Sequence, residues 1–281
     1  MLPGGGSLFG HAWAEGEHAR PYTLRVGLFR RSREARVVAE PAVPTLWRVN
    51  QYEGQSRIRV LATQLENREP SPARRRGLLA EWVEFLSADA NIVELNLASR
   101  TPQELLDASS GQRGLRKLEV KWGPYRDLSA LSTLQGLEDV ALGGATGVDS
   151  LEPLISLPVL SRLYVSQAHK ADGAVLGAAV GLRDLCLGNA SPGSDRNFDL
   201  PDLRWVSRLV ELRRLQLPGT RIIDPDLTPI LDLPHLEELG LPLRRSYRKQ
   251  VFEFASHSAV FARVATNYEE YDAFVSSTRG H

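Results

Sequence analysis

Aliphatic residues recur through the middle of the chain in one repeated phrase. They occupy positions 1, 4 and 6 of a six-residue unit, and the residues between them are mostly polar. Seven copies run from residue 92 to residue 241, and they begin at Ile92, Leu115, Leu137, Leu160, Leu182, Leu212 and Leu236. Successive copies start 22 to 30 residues apart. This period predicts structural units that stack on one another into a solenoid.

Each copy of the phrase predicts one short strand. Its aliphatic side chains are expected to point into a shared core, while the residues between them project from the opposite face. Stacked units of this kind place their strands in parallel. We therefore predict an α/β solenoid of about seven repeats over residues 91–243, with a parallel β-sheet on its concave face.

The segments between the strands carry a second phrase. It reads Tyr125-Arg-Asp-Leu128-Ser-Ala-Leu131, Val148-Asp-Ser-Leu151-Glu-Pro-Leu154 and Ile223-Asp-Pro-Asp-Leu227-Thr-Pro-Ile230. This phrase resembles the Ile-x-Asp-Ile-x-Pro-Leu run of internalin-like and phosphatase-regulator-like leucine-rich repeats. The resemblance implies short helical turns on the convex side. It specifies a fold rather than a function.

The chain departs from that family at the bend after each strand. The family commonly has an asparagine there, whereas this chain has Gly123, Ala145, Ala168, Ala190 and Thr220. The internalins are secreted or surface proteins, and the amino terminus here lacks the charged leader and apolar run of a secretory signal. We therefore do not carry over their role of binding host receptors.

The chain before residue 91 is predicted to differ from the repeats. Residues 1–20 have no period and are expected to form a flexible tail. Residues 21–90 begin with alternating apolar residues, from Leu24 to Val60, that predict short antiparallel strands. Ser71 and Pro72 then open a helix. We expect this helix to cap the first repeat.

Three further segments interrupt or follow the repeats. Thr101 to Glu104 has the pattern of a capping box and predicts a helix in the first connector. Residues 191–200 form a polar insertion in the fifth repeat, ending near Phe198. Residues 244–281 predict a C-terminal cap with a helix over 246–256, a strand over Val260 to Val264, and a closing helix that starts at Asn267.

Composition restricts the class of protein. Lysine plus arginine equals aspartate plus glutamate, at 34 each, so no overall charge favours nucleic acid or a membrane. Residues 1–80 nevertheless carry 13 basic and 7 acidic side chains. A single cysteine rules out an internal disulfide and favours a reducing compartment. We expect a cytoplasmic protein of bacterial type without a membrane span.

Residues that project between the core leucines are the candidate binding residues. At the third position of the phrase the charge alternates along the whole array, beginning with Glu94. One interpretation is a strip that a charged partner reads, and the other, which we favour, is a ladder of mutual ion pairs. Tryptophan, tyrosine and arginine are the side chains that most often anchor interfaces. The candidates are Arg116, Lys117, Glu119, Lys121, Trp122, Asp139, Arg162, Tyr164, Arg183, Asp184, Arg213, Arg214 and Glu238. For Trp122 an alternative is packing into the bend beside Tyr125.

No constellation of residues predicts catalysis or a cofactor. Cys186 could be a nucleophile only with a lowered pKa, which a strand centre does not provide, even with His169 on the preceding connector. The histidines show no paired metal spacing, so we predict no metal site. Residues Gly143 to Gly147 lack the Gly-Lys-Ser/Thr ending of a phosphate loop and are read as bend glycines.

Three hypotheses of function follow. The first is a non-catalytic module that binds another protein on its concave face, either as an inhibitor or immunity-type protein or as a scaffold or sensor subunit. The second is nucleic-acid binding through the basic N-terminal region and the arginines 74–76, which predicts strong dependence on salt. The third is an enzyme that uses Cys186.

Overall fold

The structure, a computed structural model, describes residues 42–63, 71–189 and 196–279. Its strands are β1 (Thr45–Leu46), β2 (Arg57–Val60), β3 (Glu94–Arg100), β4 (Lys117–Trp122), β5 (Asp139–Leu142), β6 (Arg162–Ser166), β7 (Asp184–Gly188), β8 (Phe198–Leu200), β9 (Arg214–Gln216), β10 (Thr220–Ile222) and β11 (Glu238–Gly240). In this part of the chain, nine strands form one sheet in the order β1-β2-β3-β4-β5-β6-β7-β9-β11. Every neighbouring pair in it is parallel.

The repeated phrase builds the core behind this sheet. Equivalent positions face each other across neighbouring strands, as Leu118, Val140 and Leu163 do. All aliphatic positions of the seven copies are buried except Leu236, which is partly buried. The side chains of Leu118, Leu163 and Leu215 are fully buried. One continuous spine of aliphatic side chains therefore confirms the predicted solenoid and its parallel concave sheet.

Helices and single turns occupy the other side of each repeat. The α-helices are α1 (Pro72–Ser87), α2 (Gln103–Ala108), α3 (Glu152–Ile155), α4 (Arg245–Ala255) and α5 (Ala259–Arg279), and 3-10 turns span Val49–Gln51, Ser109–Gly111, Ser129–Thr133, Gly173–Ala178, Arg204–Arg208 and Thr228–Ile230. Many of these turns begin at a side chain that accepts a hydrogen bond from the main chain two residues later. Asp127, Ser150, Asp172, Asp202 and Asp226 do so at 2.8 to 3.1 Å. The second phrase thus produces the short convex turns that its resemblance implied.

Small residues replace the asparagine of the bends without disrupting them. Ala145 and Ala168 are fully buried there. Neighbouring bends are joined directly by main-chain hydrogen bonds, from the Ala145 nitrogen to the Ser166 oxygen at 2.9 Å and from the Gln167 nitrogen to the Gly188 oxygen at 2.8 Å. Small side chains let the bends approach closely enough for these bonds, so no amide side chain is required.

The prediction of antiparallel strands before the repeats is wrong over the described residues. β2 pairs in parallel with β3, and β1 pairs in parallel with β2. Ile58 and Val60 are buried in the core, at the places of phrase positions 4 and 6, whereas Gln55 stands at position 1. Alternation of apolar and polar residues identifies a strand but not the direction of its partner. Because Gln55 is polar, this earlier copy of the phrase was not recognised in the sequence. The segments from Leu24 to Val37, like residues 1–20, lie outside the described residues.

Helix α1 begins as predicted but has a different place in the fold. The Ser71 hydroxyl accepts a hydrogen bond from the Arg74 nitrogen at 3.3 Å, and Trp82 and Leu86 are fully buried. The helix contacts α2 and the turn Ser109–Gly111. Since β1 and β2 precede it in the same sheet, α1 is the convex connector of an earlier repeat rather than a terminal cap.

The predicted helix in the first connector is present, but its capping box is not. Thr101 is fully buried, and its hydroxyl donates to the Ser99 carbonyl oxygen at 3.2 Å. Pro102 precedes the helix without a capping side chain. Burial of Thr101 in the bend prevents its hydroxyl from reaching the first turn of α2.

Helix α4 is where the sequence predicted a helix, whereas the expected strand over Val260 to Val264 is wrong. Helix α5 covers those residues and continues through Asn267, which is therefore not a helix start. Phe261, Val264 and Tyr268 recur at helical spacing and are buried, so their packing decides the element. No helix in the described part of the chain is long and apolar enough to cross a membrane.

The C-terminal helices form the predicted cap. Tyr247 of α4 is fully buried, and its hydroxyl accepts a hydrogen bond from the Ile222 nitrogen at 2.8 Å. The Gln250 side chain accepts another from the Leu227 nitrogen at 2.8 Å. These side chains satisfy main-chain groups in the connector of the sixth repeat, which would otherwise lack the partner that the connector of a further repeat supplies.

A second, small sheet joins the fifth and sixth repeats. β8 pairs in parallel with β10, and Phe198 is buried. The connector of the fifth repeat then forms the 3-10 turn Arg204–Arg208, in which Val206 is buried. The first half of the polar insertion, residues 191–195, lies outside the described residues.

Candidate functional site

Two rows of side chains cross the concave sheet because equivalent residues stand side by side in neighbouring parallel strands. The charged row is Arg57, Glu94, Lys117, Asp139, Arg162, Asp184, Arg214 and Glu238. The central row, two residues later, is Arg59, Asn96, Glu119, Ala141, Tyr164, Cys186, Gln216 and Gly240. Together the rows make a polar surface across eight strands.

The charged row is paired by twos rather than as a continuous ladder. Its ion pairs join Arg57 to Glu94 at 3.1 Å, Asp139 to Arg162 at 3.0 Å and Asp184 to Arg214 at 2.8 Å. Within the described residues, Lys117 and Glu238 have no ion pair. Asp184 is buried in its pair, whereas the other partners are partly or largely exposed. The favoured ladder is therefore found in part, and it leaves two charges available.

The arginines at the second position of the phrase also differ in whether they form an ion pair. Arg116 pairs with Glu138 at 2.5 Å, and Arg213 pairs with Glu237 at 2.9 Å. Arg183 is exposed and has no ion pair within the described ranges. Of these candidate arginines, only Arg183 could bind a partner without exchanging an existing ion pair.

Tyr164 lies on the concave face, as its place between two core residues predicted. It is half-buried in the central row, between Ala141 and Cys186. Burial raises the pKa of Tyr164, and a side-chain hydrogen bond with Ser166 partly opposes that rise. The phenol therefore stays neutral at physiological pH and offers an aromatic face beside two small neighbours.

Trp122 is exposed rather than packed into the bend, and its role in binding stays a prediction. Its side chain is 44% exposed, whereas Tyr125 is buried and donates to the Gly143 carbonyl oxygen at 3.0 Å. Gly144 in the next bend gives it room: a Cβ on Gly144 would lie 2.7 Å from the Trp122 Cβ. Arg100 stands opposite Trp122 in the neighbouring strand.

Cys186 and His169 do not form a catalytic pair. Cys186 is 4% exposed, and burial raises the pKa of its thiol to about 12. His169 lies near Phe198, with ring centroids 6.2 Å apart, and its pKa is lowered by burial and by Arg196. A nucleophilic cysteine needs the opposite shift, since the thiolate is the reactive form.

We expect Cys186 of the native protein to react with iodoacetamide at pH 7.5 at least about 100-fold more slowly than free cysteine, since a thiol pKa of about 12 leaves almost no thiolate. The rate is measured by intact-mass analysis over time. The same protein in urea serves as the control and should label at the rate of free cysteine. Fast labelling of the folded protein would revive the cysteine-enzyme hypothesis.

The other sequence motifs do not add chemistry to this surface. A Cβ on Gly143 would lie 2.3 Å from the Lys121 carbonyl oxygen, so Gly143 allows close stacking of two bends. Among the residues described, no cluster of histidine, cysteine and carboxylate side chains could hold a metal ion. Arginines 74–76 are exposed in the first turn of α1, in the layer of connectors rather than on the concave sheet.

The chain is similar to several solved structures at low sequence identity. No protein-family model matches the sequence, and no curated protein matches it. Internalin C2 from Listeria monocytogenes is similar over 56% of this chain and 62% of that chain, with 22% identity and a TM-score of 0.43. An internalin, inlF, from the same organism is similar over 58% of this chain and 50% of that one, with 17% identity and a TM-score of 0.39.

Leucine-rich repeats also occur in similar structures from other organisms. A leucine-rich-repeat protein of Leptospira interrogans is similar over 60% of this chain and 50% of its own, with 16% identity and a TM-score of 0.31. This chain spans less than two thirds of the length of these solved structures. The chain has a leucine-rich-repeat fold. The in-register phrases and the parallel sheet establish this, and internalins are among the similar structures, as the connectors predicted.

The sequence analysis missed two basic residues of the concave surface. Arg59 lies in the central row between Ile58 and Val60, and it could have been found by accepting the polar Gln55 at position 1 of a phrase. Arg100 faces Trp122 only because the register of β3 shifts between Leu97 and Arg100. No pattern in the sequence marks that irregularity.

Proposed function

We propose that this protein is a non-catalytic module that binds a partner protein on the concave sheet. The observation that carries the proposal is the central row, which crosses eight strands with polar, aromatic and small side chains outside the core. A surface of this breadth, with Tyr164 and Trp122 as aromatic anchors, suits an extended protein interface.

The proposal includes the role and setting that the sequence analysis predicted. The protein acts as an inhibitor or immunity-type protein, or as a scaffold or sensor subunit, in the cytoplasm of a bacterium. Its single cysteine agrees with a reducing compartment. The raised pKa of Cys186 supports a function in binding rather than in nucleophilic catalysis.

A steric block of the concave face tests the proposal. Ala141 lies in the central row beside Tyr164, so an arginine there projects into the interface without entering the core. We expect Ala141→Arg to weaken partner binding at least about tenfold, which is typical of disrupting a central contact. Partners are captured with the whole wild-type chain and identified by mass spectrometry, and affinities are then measured by biolayer interferometry.

Ala130→Arg is the matched control. Ala130 is also partly exposed but lies in the convex turn Ser129–Thr133, so the same substitution there should leave binding unchanged. Equal affinity of the wild type and Ala141→Arg for every captured protein would refute the concave interface. Recovery of nucleic acid instead, with affinity that falls steeply as salt rises, would favour the second hypothesis.

A further inference from the structure

Unpaired positive charge on the concave sheet is concentrated on β2, β3 and β4. We define the basic patch as four basic side chains and one aromatic side chain: Arg59, Arg100, Lys117, Lys121 and Trp122. These strands present five basic and two acidic side chains outside the core, a net charge of +3; they are Arg57, Arg59, Arg100, Lys117, Lys121, Glu94 and Glu119. The charged row on the later strands β5 to β11 alternates and has a net charge of −1, from Asp139, Arg162, Asp184, Arg214 and Glu238.

Lys117 has no ion pair in the described part of the chain because the carboxylates on either side of it in the charged row already have partners. Lys117 stands between Glu94 and Asp139 in register. Glu94 is paired with Arg57 at 3.1 Å, and Asp139 is paired with Arg162 at 3.0 Å. Within the described ranges, Arg59, Arg100 and Lys121 are likewise exposed and have no ion pair. A ligand carboxylate could bind these groups without displacing an internal ion pair.

Trp122 is the last residue of β4. Lys121 precedes it, and Arg100 stands opposite it on β3. Its Cβ lies close to Gly144 in the next bend, where an added Cβ would be 2.7 Å away, and its side chain is 44% exposed. An exposed ring at the end of a strand that carries cations can bury apolar area while the cations hold charged groups of the same ligand.

We propose that the basic patch binds an acidic segment of the partner protein, with an apolar or aromatic side chain of that segment packed on Trp122. This inference rests on the proposed function and adds the place and the chemistry of the contact. Three strands span about 10 Å, and Lys117 to Lys121 spans about 13 Å along β4. That footprint fits a few residues of extended chain with two or three carboxylates.

Polypeptide is favoured over nucleic acid as the occupant. Glu119 lies among the cations and has no ion pair within the described residues, so a continuous run of phosphates would meet a negative charge there. A protein segment can place a carboxylate against each cation and a neutral or basic residue opposite Glu119, which is a better electrostatic match.

Peptide selection with the whole chain tests this inference. An unbiased phage-displayed peptide library is selected against the immobilised protein, and the affinities of enriched peptides are measured by fluorescence anisotropy. We expect the enriched peptides to be acidic. The double variant K117E/K121E should weaken their binding at least about tenfold, and Trp122→Ala should weaken it several-fold.

The control is R208E/K249E, which changes the net charge by the same amount. Arg208 and Lys249 are exposed, lie in a convex turn and in α4, and have no ion pair in the described part of the chain. This variant should change peptide affinity less than about twofold, apart from long-range effects that 0.15 M salt screens beyond ~8 Å.

The outcomes separate this inference from the broader proposal. One outcome is that the enriched peptides are neutral or basic, lose affinity for variants at Tyr164 or Ala141, and bind K117E/K121E normally. That result would overturn the acidic-segment inference and leave the concave interface intact. Tighter binding of a 20-nucleotide poly(dT) probe than of any acidic peptide, with the same K117E/K121E dependence, would overturn it in favour of nucleic acid. Peptides that bind every variant equally, or no enriched peptide, would count against both.

Discussion

Replacing Gln112 by leucine is expected to lower the free energy of unfolding by about 3 kcal/mol, although leucine is the residue that other repeats use there. Gln112 stands three residues before the first aliphatic residue of its phrase. The equivalent positions in other repeats hold buried leucines, namely Leu134, Leu157, Leu209 and Leu233. A comparison of the repeats alone would predict that Gln112→Leu stabilises the protein.

The hydrogen bonds of Gln112 explain the opposite expectation. Its side chain is fully buried, and its amide nitrogen donates to the Leu86 and Ala88 carbonyl oxygens at 2.7 and 2.6 Å. Its amide oxygen accepts from the Ala90 and Ile92 nitrogens at 3.1 and 3.4 Å. Leucine leaves these four main-chain groups without that partner, and an unsatisfied buried group costs about 1 to 3 kcal/mol.

Urea denaturation followed by circular dichroism measures the effect. Gln135→Leu is the matched control, because Gln135 is exposed and makes a single side-chain hydrogen bond, to the Ser132 carbonyl oxygen at 2.7 Å. We expect the control to change stability by less than about 0.5 kcal/mol. An unfolding free energy of Gln112→Leu equal to or above that of the wild type would show that the four main-chain groups find other partners.

Substituting alanine for Gly123 is expected to destabilise the protein by a similar amount, about 3 kcal/mol, and to weaken binding at the basic patch. A Cβ on Gly123 would lie 1.9 Å from the Thr101 carbonyl oxygen, and the main chains of Gly123 and Thr101 are both held in neighbouring bends. The bends are joined by a hydrogen bond from the Thr101 nitrogen to the Trp122 oxygen at 2.9 Å. Overpacking costs about 1 to 3 kcal/mol, and the lost hydrogen bond adds about 1 kcal/mol.

Gly114→Ala is the control for this substitution. Gly114 has no heavy atom within 4 Å of an added Cβ, so alanine there should leave stability within about 0.5 kcal/mol of the wild type. Stability is measured in urea as before, and binding is measured with the selected acidic peptides. Because Trp122 adjoins Gly123, separation of the bends should move the indole. A Gly123→Ala variant as stable as Gly114→Ala would mean that the bends separate without cost.

Residues with strict spacing were predicted well from the sequence. The aliphatic positions, such as Leu118 and Leu163, define the core and the parallel strands because a solenoid repeats one local arrangement. The third-position charges were placed correctly in one row for the same reason. Failures occurred where a polar residue occupies an apolar position, as at Gln55 before β2, or where packing selects the element, as at Val264 in α5.

The availability of each charge could not be predicted from spacing. Lys117 and Arg162 occupy equivalent positions of the phrase, yet Arg162 pairs with Asp139 and Lys117 has no ion pair within the described residues. The choice depends on which of two neighbours each carboxylate can reach. Alternation of sign gives no information about that choice.

The sequence by itself determined the stacking of repeats, since aliphatic residues at a fixed period can be buried only by packing each unit on the next. It also determined which side chains face away from the core. Only the tertiary structure decided which cations have no ion pair and that Trp122 is exposed beside Gly144. It alone also showed that the Gln112 side chain hydrogen-bonds main-chain groups at the end of α1. These properties arise from contacts between segments 20 or more residues apart, whose geometry the repeat period does not specify.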